Sequence, residues 1–229
     1  MKITIMGAAG FIGTNLAIAL AKNKENHITM VDKRKEFFSN IIDMNIENIK
    51  IIENDLESIN TLDALLKGQD VVYHLVSTTV PTTANQHIVQ ELESNVVYSA
   101  SLFEACVRNK VSKVIFISSG GTVYGNKLQC PLKEEYPTNP ISSYGVQKIT
   151  IEKLLQLYNY MYNMDYRIIR LANPYGPYQR PNGILGAATT FIYKTLTKEE
   201  IFVYGNGEVI RDYIFIDDVI TAIINIAQG

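Results

Sequence analysis

Residues 2–22 read KITIMGAAGFIGTNLAIALAK. A short apolar, β-branched run (2–6) meets a turn with glycines at 7, 10 and 13, and a helix-period segment follows over 11–23. Gly7 allows a sharp bend, Gly10 allows backbone to approach a pyrophosphate, and Gly13 allows a helix to lie close to a sheet. The helix N-terminus, opened by Phe11 and Ile12, would offer unpaired N–H groups and a partial positive charge to phosphates. The same stretch imitates a secretory signal, but Thr14 and Asn15 interrupt it. No uninterrupted run approaches the ~20 apolar residues that span a bilayer, so a soluble cytoplasmic protein is expected.

Working outward, apolar runs recur at 27–32, 49–53, 70–76, 113–118 and 166–171, each continuous rather than alternating. Such runs mark strands buried on both faces, hence a parallel sheet covered by helices. Helix-period segments lie between them at 58–67, 84–109 and 143–163. The alternation predicts an α/β fold with a doubly wound parallel sheet over residues 1–172, a Rossmann dinucleotide-binding domain. Beyond it, NPYGPYQRPNG (173–183) reads as loop. A helix (184–197), two short strands (201–204, 210–215) and a last helix (217–227) are expected to follow. Residues 173–229 are thus expected to form a second, smaller region on the substrate side that also returns elements to the sheet.

The 229 residues are 47% apolar with a formal net charge of -2, enough for a sizeable core. The basic residues are scattered, which argues against a nucleic-acid partner. Two cysteines, Cys106 and Cys130, are too few for a disulfide framework or a metal cluster, and no metal site is expected.

Asp32 ends the second strand run, 19 residues past Gly13. A carboxylate there accepts hydrogen bonds from a ribose diol and repels a 2′-phosphate, which favours NAD over NADP. Lys33 and Arg34 pull the other way. Asp55 and Leu56 follow the third strand and could bracket an adenine. His74-Leu75-Val76-Ser77 ends the fourth and would pass beside the cofactor, with His74 itself read as a packed strand histidine.

YGVQK (144–148) puts Tyr144 and Lys148 one helical turn apart, on one face. Of the 14 tyrosines only this one has a lysine four residues on, and it begins a helix behind a plausible cap in PISS (140–143). A phenol needs such a partner: moving its pKa from ~10 to ~7 takes roughly 4 kcal/mol. An ammonium at ~4 Å supplies about that much at an effective dielectric of ~20. Lys148 could also hold a nicotinamide ribose.

Taken together, GAAGFIG, Asp32, HLVS (74–77), Asn95, SSGGTVYG (118–125), YGVQK, RLANPYGP (170–177) and RDYIFIDDV (211–219) resemble the NAD-dependent sugar epimerase/dehydratase family, the extended short-chain dehydrogenases, closest to its nucleotide-sugar 4-epimerases. The resemblance implies bound NAD, held by Gly7, Gly10, Phe11, Ile12, Gly13, Asp32, Lys33, Asp55, Leu56, Leu75, Val76, Ser77, Asn95, Ser118, Tyr144, Lys148 and Leu171. It implies a UDP-sugar substrate, UDP-glucose/galactose or a UDP-N-acetylhexosamine, with Asn173, Arg211 and Tyr204 as contacts. Tyr144 would take the proton of the sugar 4-hydroxyl while hydride leaves C4. The keto sugar would turn about its diphosphate and be reduced on its other face.

In many relatives the tyrosine's hydroxyl partner sits four residues before the strand-end tyrosine, and here that slot is Gly120. The nearest hydroxyls are Ser119, the first choice, and Thr122, the second; both could instead only cap loop backbone. Dehydratases and decarboxylases of the family place an acid in the slots that Gly121 and Thr122 occupy, so epimerisation is favoured. Those sister enzymes, and a non-catalytic NAD-binding module, are the alternatives. Relatives continue past residue 229, which predicts that NAD binding survives in this chain while turnover is weak. The segments 84–109 and 143–163 could pair with their copies in a homodimer.

Overall fold

The computed structural model describes residues 1–54, 59–81, 84–126, 130–181, 186–203 and 205–229. Six strands form one parallel sheet: β1 (Lys2–Met6), β2 (His27–Asp32), β3 (Ile49–Glu53), β4 (Val71–His74), β5 (Lys113–Ser119) and β6 (Asp165–Leu171). Their order is β3-β2-β1-β4-β5-β6. The order reverses between β1 and β4, and that switch point opens a crevice at the carboxyl ends of the strands.

Alternate strand residues feed two cores, as the pleat requires. On one face Ile3, Ile5, Ile28, Met30 and Ile115 pack with Leu16 and Leu20 of α1 (Phe11–Ala21). The last helix, α8 (Ile216–Gln228), joins that core through Ile216, Val219, Ile220 and Ile223. Lys113 Nζ pins its end by donating to Ala227 O at 2.9 Å. On the other face Met6, Val31, Val72, Val114 and Phe116 pack against α3 (Ile59–Leu66), α5 (Tyr98–Arg108) and α6 (Ser143–Tyr162).

A short 3-10 turn, Lys35–Phe38, and the one-turn α2 (Ser39–Ile42) follow β2 and were not foreseen. The long helix expected over 84–109 is broken into α4 (Ile88–Leu92), a π-turn (Glu93–Val97) and α5. Helix α6 starts where predicted: Ser142 caps it by accepting from the Gly145 N–H at 3.2 Å.

Two expectations beyond residue 172 fail. Asn173–Tyr175 is not loop but a strand, β7, paired in parallel with β8 (Tyr213–Phe215). Residues 201–203 form no strand. Helix α7 (Ala187–Thr197) lies between. Among the described residues no helix is long and apolar enough to cross a membrane.

Candidate active site

The glycine-rich turn at the end of β1 is shaped by close backbone contacts. Gly7 sits at φ +78°, and a Cβ there would lie 2.9 Å from the Leu75–Val76 peptide. A Cβ on Gly13 would lie 2.6 Å from Ala8 O, so α1 reaches the sheet only because that atom is missing. At Gly10, by contrast, a Cβ would meet only Gly7 O, at 3.5 Å, and the backbone faces open space. That space is a cleft of about 260 Å³ lined by Ala9, Gly10, Phe11, Asp32, Phe37, Tyr178, Gln179 and Arg180. Asp32 is aimed by two backbone donors: Ala9 N–H to Oδ2 at 3.0 Å and Lys33 N–H to Oδ1 at 2.8 Å. Asp55, Leu56 and Tyr204 lie outside the described residues.

Asn95 sits in the π-turn and is buried. Its Oδ1 accepts from Thr78 N–H at 2.9 Å, and its Nδ2 donates to Thr78 Oγ1 at 2.8 Å and Thr79 Oγ1 at 3.0 Å. It therefore clamps the segment that follows Val76 and Ser77. The π-turn lets a helical asparagine reach that segment. His74 packs on Phe116, and its Nε2 lies 2.8 Å from Ser99 Oγ. Because Ser99 gives its own proton to Asn95 O at 2.5 Å, His74 must be the donor to it. Burial, with the charge of Lys148, pushes the His74 pKa down to about 3, so it is neutral and structural, as the strand pattern suggested.

Val76, Ser77 and Asn95 share a narrow polar pocket with Tyr144, Gln147, Lys148 and Ile151. Lys148 is buried, donates to Ile117 O at 2.9 Å, and holds its Nζ 5.6 Å from the Tyr144 ring centroid. Burial lowers the lysine to about 8, so it carries charge at neutral pH. Burial also raises Tyr144 to about 12. This corrects the expectation that the lysine by itself brings the phenol near neutrality, because desolvation outweighs it. Bringing that phenol to pH 7 is worth about 7 kcal/mol. A further cation at about 4–5 Å would supply roughly 3–4 kcal/mol of it.

Facing this helix start is the end of β5. Thr122 Oγ1 donates to Ser119 Oγ at 2.7 Å, which joins the two candidate hydroxyls. Gly145, next to Tyr144, packs on the same loop: a Cβ there would lie 2.6 Å from Thr122 O. Gly120 is oriented away from the hydroxyl pair. Its N–H donates to Leu171 O at 2.7 Å, and an added Cβ would press on Arg170 O and Leu171 at 3.0 Å. Ser118 gives its hydroxyl to Glu152 at 2.5 Å, so only its backbone is left for a cofactor. Glu152 in turn takes a two-pronged ion pair from Arg170, whose Nη1 also donates to Tyr124 OH at 2.8 Å. This network ties β6 and α6 to the end of β5 and to the loop that follows Ser119.

On the far side, β7–β8 pairing joins residues distant in sequence. Asn173 donates through N and Nδ2 to Asp212 O, beside the exposed Arg211. Residues 3–229 match the model of the NAD dependent epimerase/dehydratase family. The chain belongs to the NAD-dependent epimerase/dehydratase family. It is 30% identical to the UDP-glucose 4-epimerase of Mycolicibacterium smegmatis, over 98% of this chain and 72% of that one. The UDP-N-acetylglucosamine 4-epimerase of Methanobrevibacter ruminantium, solved with UDP-N-acetylmuramic acid, superposes with a TM-score of 0.89 at 33% identity, covering 100% of this chain and 73% of that one. The UDP-glucuronic acid 4-epimerase of Bacillus cereus, solved with UDP-glucuronic acid and NAD, gives 0.87 at 32%, covering 98% and 72%.

The residues of this family member fit a dinucleotide: an open cleft over Gly10, an oriented Asp32 and a segment clamped at Thr78 and Thr79, just past Val76–Ser77. Sequence reasoning missed Gln147 and Ile151 as pocket walls, although they sit at i+3 and i+7 from Tyr144, on its face of α6. It also missed Phe37, Tyr178, Gln179 and Arg180, for which no local signal exists.

Proposed function

We propose that this protein is a nucleotide-sugar 4-epimerase that uses Tyr144 as its proton-transfer group. The observation that carries the reading is that Tyr144 and Lys148 share one pocket at the start of α6, where the adjacent Gly145 packs against the Thr122 backbone of the loop after Ser119. Gly10, Asp32, the Val76–Ser77 segment and Lys148 would hold NAD, which when bound supplies a reversible hydride acceptor at C4. Tyr144 takes the proton of the sugar 4-hydroxyl and returns it after the ring has turned over. Lys148 supplies positive charge on the buried side of the phenol. Ser119, its oxygen already accepting from Thr122, can donate its own proton to the sugar O4 or to the phenolate. Asn173 and Arg211, brought near each other by the β7–β8 pair, would grip the diphosphate, and an arginine suits that task through its two-pronged donor geometry.

No carboxylate stands at 121–122 to expel water or assist decarboxylation after C4 oxidation. The relatives act on sugars with different substituents, so UDP-glucose, UDP-N-acetylglucosamine and UDP-glucuronic acid are the substrates to try. A homodimer is part of the same reading. Val89 on α4, Val146, Leu157 and Tyr160 on α6, and Val97 of the π-turn are exposed apolar side chains on neighbouring helices. Two unpaired cysteines support a reducing, cytoplasmic setting.

The test is proton NMR of each UDP-sugar incubated with the protein and NAD. Appearance of the 4-epimer, reduced about 10²–10⁴-fold by Tyr144→Phe with NAD binding retained, is expected. A 4-keto-6-deoxy product or carbon dioxide would replace the reading with a sister reaction.

A further inference from the structure

The loop Gly176–Pro181 leaves β7 on the substrate side but ends over the dinucleotide cleft. It is pinned from beneath at several points. The Asn15 amide donates to Pro177 O at 3.0 Å and the Gln179 amide to Pro174 O at 3.1 Å, while Thr189 donates to Gln179 Oε1. Between these pins Tyr178 is held at φ +68°, the left-handed region, which is costly for an aromatic residue. Strain of this kind persists only where the surroundings over-determine it, and it concentrates at ligand clamps. The turn brings Tyr178, Gln179 and Arg180 to the cleft that holds Asp32.

There Arg180 meets the opposite wall. Its guanidinium lies 5.1 Å from the centroid of the Phe37 ring and 3.5 Å from Phe37 O, while that of Arg34 is 5.9 Å from the same ring. Phe37 sits in the turn just after Asp32, so this pair joins the dinucleotide half of the molecule to the loop beyond β7. Arg180 makes no carboxylate pair among the described residues. Its exposed charge is available to an anionic ligand in the cleft.

We propose that Arg180, braced on Phe37, straps the adenosine diphosphate half of NAD into the cleft and slows its release. The inference rests on the NAD-dependent epimerase reading and adds to it a cofactor-retaining pair. In a reaction that returns its hydride the cofactor has no need to leave, so a slow release rate costs no turnover.

The test uses the full chain loaded with NADH, whose fluorescence reports binding, chased with excess NAD. Arg180→Ala and Phe37→Ala should each speed release tenfold or more. The double variant should be little worse than either single one, because the two side chains work as a unit. Arg180→Lys, which keeps the charge and loses the planar stack, should fall between. Thermal unfolding of Arg180→Ala should match the parent, since the side chain is exposed. Release from Arg180→Ala within twofold of the parent would overturn the strap. So would unchanged release with a weakened UDP-sugar KM, which would assign Arg180 to the sugar. Failure of the parent to bind NADH at all would overturn the cofactor reading itself, and the strap with it.

Discussion

Thr122 donates its hydroxyl to Ser119 across 2.7 Å, so the two residues form one donor unit with a single free proton, that of Ser119. The pair links the two hydroxyls that the sequence left as alternatives. On the proposed reading Ser119 gives its proton to the sugar and Thr122 orients it.

Ser119→Ala is therefore expected to lower turnover about 10²-fold, the usual effect of removing one donor to a developing oxyanion. Thr122→Val removes only the orienting bond and should cost about fivefold, corresponding to ~1 kcal/mol. Steady-state rates of the two variants decide the order. If Thr122→Val is the more damaging, the roles are reversed.

Gly120 occupies the slot where the resemblance leads us to expect a hydroxyl, and placing a serine there is the obvious substitution to try. The structure predicts that it fails. A Cβ at 120 would stand 3.0 Å from the carbonyls of Arg170 and Leu171, which are strand backbone and yield little. Gly120→Ser should lose about 1–3 kcal/mol in urea unfolding with no gain in rate. A faster enzyme would show that the loop can turn its Cβ toward the sugar.

Burial of the charged Lys148 costs the fold stability. Its folded pKa, about 8, lies below the ordinary value of 10.5 because burial disfavours the charge. Between those values the unfolded chain binds the proton that the folded protein has released, so stability rises with pH across that window, and below about 8 the penalty is felt in full. Lys148→Met should thus be more stable than the parent at pH 7 by on the order of 1–3 kcal/mol. That advantage should shrink as pH climbs from about 8 toward 10.5. Urea midpoints against pH check it, and a pH-independent difference would assign the effect to packing alone.

His74 acts at the acid end. It stays neutral in the fold down to about pH 3, whereas the unfolded residue takes up a proton near 6.5. The unfolded state then binds more protons between those values, so stability is present above about 6.5 and is lost as pH falls toward 3. His74→Gln, which retains an amide donor for Ser99, should flatten that acid limb. An unchanged acid limb in the variant would place the acid sensitivity in other groups.

Much of the fold was readable because it depends on local pattern. Continuous apolar runs placed all six strands of the sheet to within a few residues, since a strand buried on both faces tolerates no polar alternation. Tyr144 and Lys148 were legible for the same reason: four residues on a helix is one turn, whatever surrounds it. The break at Glu93–Val97 was not legible, because it serves the bonds of Asn95 to Thr78 and Thr79, 16 or 17 residues away. Nor was β7, whose Pro-Tyr-Gly composition reads as loop until β8 supplies its partner.

By itself, then, the chain determined where strands, helices and the glycine turn fall, and which tyrosine has a lysine on its face. Those features follow from backbone periodicity and from the size of a missing Cβ. Only the tertiary structure decided that Thr122 donates its hydroxyl to Ser119, that Gly120 is turned toward β6, that burial holds Tyr144 near 12, and that Arg180 reaches Phe37. Each of these depends on desolvation or on contacts between segments far apart in the sequence, and neither is encoded in any local window.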